Sequence, residues 1–292
     1  MPDPVPGPGE ILVDVLACGV CASDLGVWSR GPAGPEPLRL GHEIVGRVAR
    51  VGEPDSVWRP GDVVTGLGSP GLAQRAVLRS REALPALQPW SAALGEPLAV
   101  VEEVMMRAEV VLDGRSVAVV GLGFMGLITV QLAAVRMPSR LAGVDTRAAS
   151  RGRAERLGAT VFGPQDQEGL AGTFDLVFEV TGSDRGLAAA GRLVRPQGTL
   201  AVLGYHEAGP RLDAGWWAAG MTIVGGSSPD RRRTMAAMAA AIDLVRDRRV
   251  SLVPLITHRV RLNGIDRAFE RMAAREPTFV KAVMVPDLEE AE

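Results

Sequence analysis

Six side chains in the first third of the sequence could do metal chemistry if the fold gathers them: Cys21, Ser23, Asp24, His42, Glu43 and Glu96. A thiolate and an imidazole suit zinc, and a carboxylate is a common further ligand. One cysteine, one histidine and one or two glutamates match a catalytic zinc, which takes about three protein ligands and keeps one position exchangeable. They do not suffice for a four-cysteine structural site. The only two cysteines, Cys18 and Cys21, form a C-x-x-C. MPDPVPGPGE has no basic and no apolar leader region, so metal or redox chemistry is favoured over a stabilising disulfide. Cys18 reads as a plain buried thiol. His42 sits inside GHE with Cys21 upstream and reads as a ligand. Glu96, just before Pro97, also suits the first turn of a helix, and the two roles are compatible.

A second chemistry lies in residues 117–126, VAVVGLGFMG. Four apolar residues, read as a buried parallel strand, run into Gly121, Gly123 and Gly126, and LITVQLAAV follows at helical spacing. A helix start presents backbone N–H groups and the positive end of its dipole. The first glycine permits the turn, the second lets a pyrophosphate approach, and the third lets helix pack on strand. With Phe124 and Met125 these glycines form the expected cofactor-binding turn. Asp145 ends the next apolar run, LAGVD, where a carboxylate accepting from an adenosine ribose belongs. Its charge favours NAD over NADP, while Arg147 and Arg151 nearby argue the other way. A glycine-punctuated turn without ligand, and a strand-end aspartate, are the plainer alternatives.

The chain has 292 residues, a prior of about two domains. A strand-like run at 10–17, a second within LGHEIVGRVARVG carried by Ile44, Val45, Val48 and Val51, a third after the turn Pro60-Gly61-Asp62, and LAQRAVL suggest a mostly β domain over the first 90 residues, with Gly46 as a bulge. An amphipathic helix over 94–111 leads onward. From Ser116 the pattern is βαβα up to MTIVGG, then a helix over 231–248, which means a parallel sheet with right-handed crossovers. The end reads strand, helix, strand, and then an acidic tail, LEEAE. The fold class is therefore α/β. Trp216 and Trp217 fit a core, a subunit interface or a substrate wall. Tyr205 and His206 fit a nicotinamide-ribose contact or a surface loop.

Apolar residues make up 47% and the net charge is −2, which excludes a disordered tail protein and a nucleic-acid footprint. Nearly all positive charge is arginine, and the one lysine is Lys281. Residues 117–135 are apolar, but four glycines and Gln131 fit a buried strand and helix better than a membrane span. No membrane partner is expected, and the cytoplasm is the expected setting.

The strings CGVCASD, GHEIVGRVARVG, RPGDVV, EPLAV, GLGFMG and ITHRVRL occur in this order. Together they resemble the zinc-dependent medium-chain dehydrogenase/reductase family, in particular its sorbitol and threonine dehydrogenase-like branch. The resemblance spans nearly the whole chain. It implies a Rossmann doubly wound parallel sheet inserted into a GroES-like, mostly β catalytic domain. The implied boundaries are 1–100 for the catalytic domain, 101–249 for the NAD(P)-binding domain and 250–292 for the return. It implies that Cys21, His42 and either or both of Glu43 and Glu96 hold one catalytic zinc. Ser23 would accept the substrate hydroxyl proton, and Asp24 would orient His42. The implied reaction is NAD-dependent oxidation of a secondary alcohol, a polyol, sugar or cyclitol, with hydride passing to the nicotinamide. Arg75, Arg79 and Trp28 are candidates to line that site. A homodimer or homotetramer joined near residues 221–226 is also implied.

Three features depart from the family. The lobe with four cysteines shrinks to TGLGSPG, so no structural zinc is expected. The histidine expected two residues after Asp24 is Gly26, so the Ser23 proton needs another route, through the ribose and water or His206. The family's roughly two leading strands have no counterpart before PDPVPGPGE, implying a misassigned start or an unpaired sheet edge. A zinc-free reductase of the superfamily and a catalytically weakened nucleotide-binding protein are the alternatives.

Overall fold

The computed structural model describes residues 3–34, 38–108, 112, 114–226 and 228–286. The acidic tail and the last residues of the helix expected over 94–111 lie outside them. The chain divides into two compact units, one of Met1–Ala99, Met238–Arg246 and Ser251–Glu292, the other of Val100–Ala237 and Asp247–Val250. In chain order the elements are β1 (Glu10–Gly19), α1 (Ala22–Arg30), β2 (Glu43–Val51), β3 (Val63–Leu67), β4 (Arg75–Arg79), β5 (Ala83–Pro85) and α2 (Gly95–Arg107). Next come β6 (Ser116–Val120), α3 (Phe124–Ala134), β7 (Arg140–Val144), α4 (Ala148–Arg156), β8 (Thr160–Phe162), β9 (Phe174–Glu179), α5 (Asp184–Leu193) and β10 (Val194–Val202). The chain closes with α6 (Ala214–Ala218), β11 (Thr222–Gly225), α7 (Arg231–Arg246), β12 (Ile256–Val260), α8 (Ile265–Ala273) and β13 (Lys281–Met284).

The first unit is built on a mixed seven-stranded sheet in the order β12-β13-β1-β2-β3-β5, with β4 also on β1. The C-terminal return therefore joins the N-terminal strands in one sheet: β13 pairs antiparallel with β1 through Cys18↔Met284 and Gly19↔Val283. β1 is an interior strand, with β2 along one edge and β4 and β13 sharing the other. Its alternation is lost because both faces are buried. Among the described residues β4 pairs only with β1, so the sheet ends at β4. The bulge expected at Gly46 is on the neighbouring strand: Gly46 pairs with Val15, and the extra residue is Leu16. Gly46 is required for space, because a Cβ there would lie 2.7 Å from Val13 Cγ2.

The second unit is a six-stranded, all-parallel sheet in the order β11-β10-β9-β6-β7-β8. The order reverses between β6 and β9, which makes a doubly wound sheet with its switch point at the end of β6. α3 is apolar all round and buried on almost every residue, as a helix packed inside a domain must be. The two tryptophans part company. Trp216 on the short α6, an element the periodicity did not reveal, is core and lies where a Cβ on Gly191 of α5 would stand, while Trp217 is 87% exposed. Among the described residues no helix is long and apolar enough to cross a membrane.

Asp175 ties the N-terminal ends of three strands together. Its carboxylate accepts from the Ser116 amide at 2.8 Å, the Ser116 hydroxyl at 2.7 Å and Arg195 Nε at 2.8 Å. Burial alone would raise this carboxyl, but those bonds hold it well below the usual carboxylate range. A depressed native pKa contributes stability above the unfolded value of about 3.9, and that stability is lost as the pH falls through the native one. Asp175→Asn is therefore expected to cost about 1.5–3 kcal/mol at neutral pH, typical of charged hydrogen bonds. The deficit shrinks below about pH 4, where the wild type loses the same term. Urea titrations of both proteins across that range check it.

Candidate active site

Cys21 is the residue before α1, held in extended backbone with φ −101° and ψ 146°. His42 immediately precedes β2 and Glu43 opens it, paired across from Gly19 of β1. One ligand atom from each of Cys21, His42 and Glu43 lies within 4.8 Å of the others. Two separate segments of the chain are thus brought to one point inside the first unit.

The surroundings are polar and ordered. The Ser23 hydroxyl donates to Cys21 Sγ at 3.3 Å. Asp24 is buried, its Oδ2 accepts from the Gly41 amide at 3.1 Å, and it lies 3.6 Å from His42 Nδ1. Burial disfavours a charged His42, but hydrogen bonds to Asp24 and Cys21 and the charges of Cys21 and Glu96 outweigh it and push the imidazole up to about 11. So dense a set of negative donors around one histidine favours a cation. Glu96 lies in the first turn of α2 and outside the 4.8 Å group, yet its charge acts on both His42 and Lys281. Glu43 is 1% exposed, its Oε1 accepts from Lys281 Nζ at 2.5 Å, and its Oε2 has no hydrogen-bond partner. An orphaned buried carboxylate oxygen beside a thiol and an imidazole fits a bound metal.

Cys18 is fully buried in the apolar cluster of the first sheet, and burial pushes its thiol up. Both cysteines are free, so the C-x-x-C is not a disulfide. The three expected lining residues each have a partner. Arg75 pairs with Asp14 and Asp3 on the outside of β4, and Arg79 with Glu82. Trp28 stacks on Phe269 at 5.3 Å and donates to Asp266, fastening α1 to α8.

In the second unit the glycine turn joins β6 to α3. Gly121 has φ +96°, a conformation that strains any other residue, and a Cβ on Gly126 would stand 1.9 Å from the Gly121 carbonyl oxygen. Gly123 differs: the nearest atom to its Cβ position is Arg147 Nη2, at 4.0 Å. No side chain caps α3. A cradle that is open at Gly123 and closed at its two neighbours fits a pyrophosphate laid on the backbone. Phe124 and Met125 form the first turn of α3. Asp145 accepts from Leu122 N at 2.8 Å and from Arg147 N at 2.8 Å, so it braces the turn beside Arg147. Tyr205 and His206 both lie in the loop after β10; Tyr205 is exposed, whereas the His206 side chain is only 4% exposed, with Nε2 3.0 Å from Glu179 Oε2.

Residues 7–75 match the family model described as the alcohol dehydrogenase GroES-like domain. The chain is 29% identical to the NADP-dependent isopropanol dehydrogenase of Thermoanaerobacter brockii, across 97% of this chain and 94% of that protein. It is 28% identical to the sorbitol dehydrogenase of Gallus gallus, across 92% of this chain and 88% of that one. The fold superposes on the alcohol dehydrogenase TADH of Thermus sp. ATN1 with a TM-score of 0.83 at 23% identity, covering 98% of this chain and 95% of the other. The chain belongs to the medium-chain dehydrogenase/reductase family. Membership accounts for the architecture: a GroES-like sheet closed by the C-terminal strands, and a Rossmann sheet between them in sequence.

The partner of Glu43 was missed at the sequence level. Lys281 is the single lysine of an arginine-rich chain and stands in the apolar run FVKAVMV. A lone lysine in a strand buried on both faces needs a buried counter-charge, and that signal was available.

Proposed function

We propose that this family member is a zinc-assisted, nicotinamide-dependent oxidoreductase that interconverts a secondary alcohol (a polyol, sugar or cyclitol) and its ketone. The observation that carries it is the cluster of Cys21, His42 and Glu43 within 4.8 Å, with a buried, unpartnered oxygen on Glu43. When bound, a zinc ion would supply Lewis acidity to the alcohol oxygen and the nicotinamide a hydride acceptor. Cys21 Sγ, His42 and Glu43 would hold the ion, with Glu96 as a further candidate carboxylate. Asp24, 3.6 Å from Nδ1 of His42, would orient the ring toward the ion. Ser23 Oγ would take the hydroxyl proton, and because Gly26 has no side chain that proton would leave through the ribose and water or through His206. The carbinol carbon gives up hydride as the C–O bond becomes a carbonyl, so two electrons and two hydrogens leave the alcohol.

The backbone of Gly121, Gly123, Phe124, Met125 and Gly126 receives the pyrophosphate, and Asp145 the adenosine ribose. The carboxylate would repel a 2′-phosphate, which supports NAD; Arg147 is the group through which NADP could still be accepted. Residues 1–100 with 250–292 serve catalysis and 101–249 the cofactor. Chains pair along β11, whose outer edge has no partner strand among the described residues, to give a homodimer or homotetramer. The polyol class is supported by the names of relatives such as the sorbitol dehydrogenases.

The test purifies the chain without chelator, measures zinc, and screens polyols, sugars, cyclitols and simple secondary alcohols with NAD and NADP. About one zinc per chain and reduced-cofactor absorbance with at least one alcohol are expected. Turnover with well under half an equivalent of zinc would favour a zinc-free reductase, and cofactor binding without turnover a weakened nucleotide-binding protein.

A further inference from the structure

The only lysine in the chain is buried against the metal cluster. Lys281, on β13, is 4% exposed and its Nζ donates to Glu43 Oε1 at 2.5 Å. Glu43 Oε2 has no partner, although both oxygens belong to a side chain only 1% exposed. The carboxylate is held from a second side as well. A Cβ on Gly19 would stand 1.9 Å from Oε2 and 3.0 Å from Lys281 Cε, so residue 19 must be glycine for the pair to occupy this space. Every other basic side chain apart from histidine is arginine. Guanidinium is a broad planar fork, whereas an ammonium is a compact point charge that can serve one oxygen of a carboxylate and leave the second open. A buried pair needs further partners to offset desolvation, and Oε2 lacks one unless an ion supplies it.

We propose that Lys281 is a positioning residue of the metal site: by occupying Oε1 it turns Glu43 so that Oε2 alone is offered to the ion held by Cys21 and His42. The inference presupposes the zinc function proposed above. It makes Glu43 a one-oxygen ligand whose aim is set from β13, across the sheet from the segments that supply Cys21 and His42.

The experiment is a double-mutant cycle of wild type, Lys281→Met, Glu43→Gln and the double variant, with zinc affinity read by competition against a chromophoric chelator. Absorption spectra of the Co2+-loaded proteins report ligand geometry independently of turnover. Lys281→Met is expected to weaken zinc binding by about 10- to 100-fold, as loss of a ligand-orienting partner does, and to shift the Co2+ bands. Lys281→Arg, whose planar fork would take both carboxylate oxygens, is expected to weaken zinc binding as well. In the Glu43→Gln background, Lys281→Met changes affinity by less than about twofold, because the two residues act as one unit. An effect of equal size in both backgrounds, or an unchanged affinity and Co2+ spectrum in the single variant, overturns the proposal. Should Lys281→Met fail to fold, Lys281→Arg and its Glu43→Gln double complete the same cycle. A wild type that binds no zinc defeats the zinc function itself; a wild type that binds zinc with a silent Lys281→Met defeats only this inference.

Discussion

Cys21→Ser is expected to leave a folded chain that binds no zinc and turns over at least on the order of 10³-fold more slowly, since Lewis-acid assistance is worth several kcal/mol and each 1.4 kcal/mol is tenfold. Folding survives for a local reason. Position 21 caps α1 in extended backbone, where serine is a favoured residue. The ligand does not survive, because a hydroxyl in place of the thiol remains protonated at neutral pH and is a poor zinc donor. NADH binding is expected to stay within about twofold, because the glycine turn belongs to the other unit and sites without shared partners act independently. Metal analysis, NADH titration and steady-state rates on the same preparation test the three parts. Unaltered turnover would sink the zinc-enzyme assignment.

Gly123→Val is expected to abolish dinucleotide binding while leaving the fold intact. Gly123 has φ −76° and ψ −164°, extended backbone that valine adopts readily. Nothing lies closer than 4.0 Å to the added Cβ. The stability cost is therefore about 1 kcal/mol or less, that of a poorer helix cap. The space that the side chain fills is where a pyrophosphate would meet the backbone. Losing two charge-assisted hydrogen bonds at about 1.5–3 kcal/mol each lowers affinity by roughly 10²- to 10⁴-fold. Gly126→Ala has the opposite signature. Its Cβ would meet the Gly121 carbonyl at 1.9 Å, a backbone atom that cannot step aside, so the turn itself is destabilised by about 1–3 kcal/mol. Thermal unfolding beside NADH titration separates the two. A Gly123→Val protein that still binds NADH normally would mean that the cofactor does not lie on this turn.

Much of this was legible from residue types alone. The strand-turn-helix of VAVVGLGFMG is local: apolar run, glycines and helical spacing lie within about two turns of chain, and β6 and α3 form where those patterns stand. The alternation of strands and helices from Ser116 onward implied a parallel sheet because short crossovers leave few other topologies. The inventory of one cysteine, one histidine and acidic residues limited the possible metal chemistry before any coordinates.

Long-range placement was not legible. Trp216 reads equally well as a core residue, a subunit interface or a substrate wall, and only its packing against Gly191 in the core of the second unit decides for the core. The bulge moved from Gly46 to Leu16 because register depends on what the partner strand presents, not on where a glycine lies. Lys281 stands 238 residues from Glu43 in sequence. The pairing of β13 with β1 brings them together, and no periodicity encodes it. By itself the sequence determined the donor types, the nucleotide turn and the fold class, because these rest on local pattern and chemical inventory. The tertiary structure alone decided which donors meet, which carboxylate oxygen is left without a partner and which cation holds the other, because those depend on sheet order and burial between segments far apart in the chain.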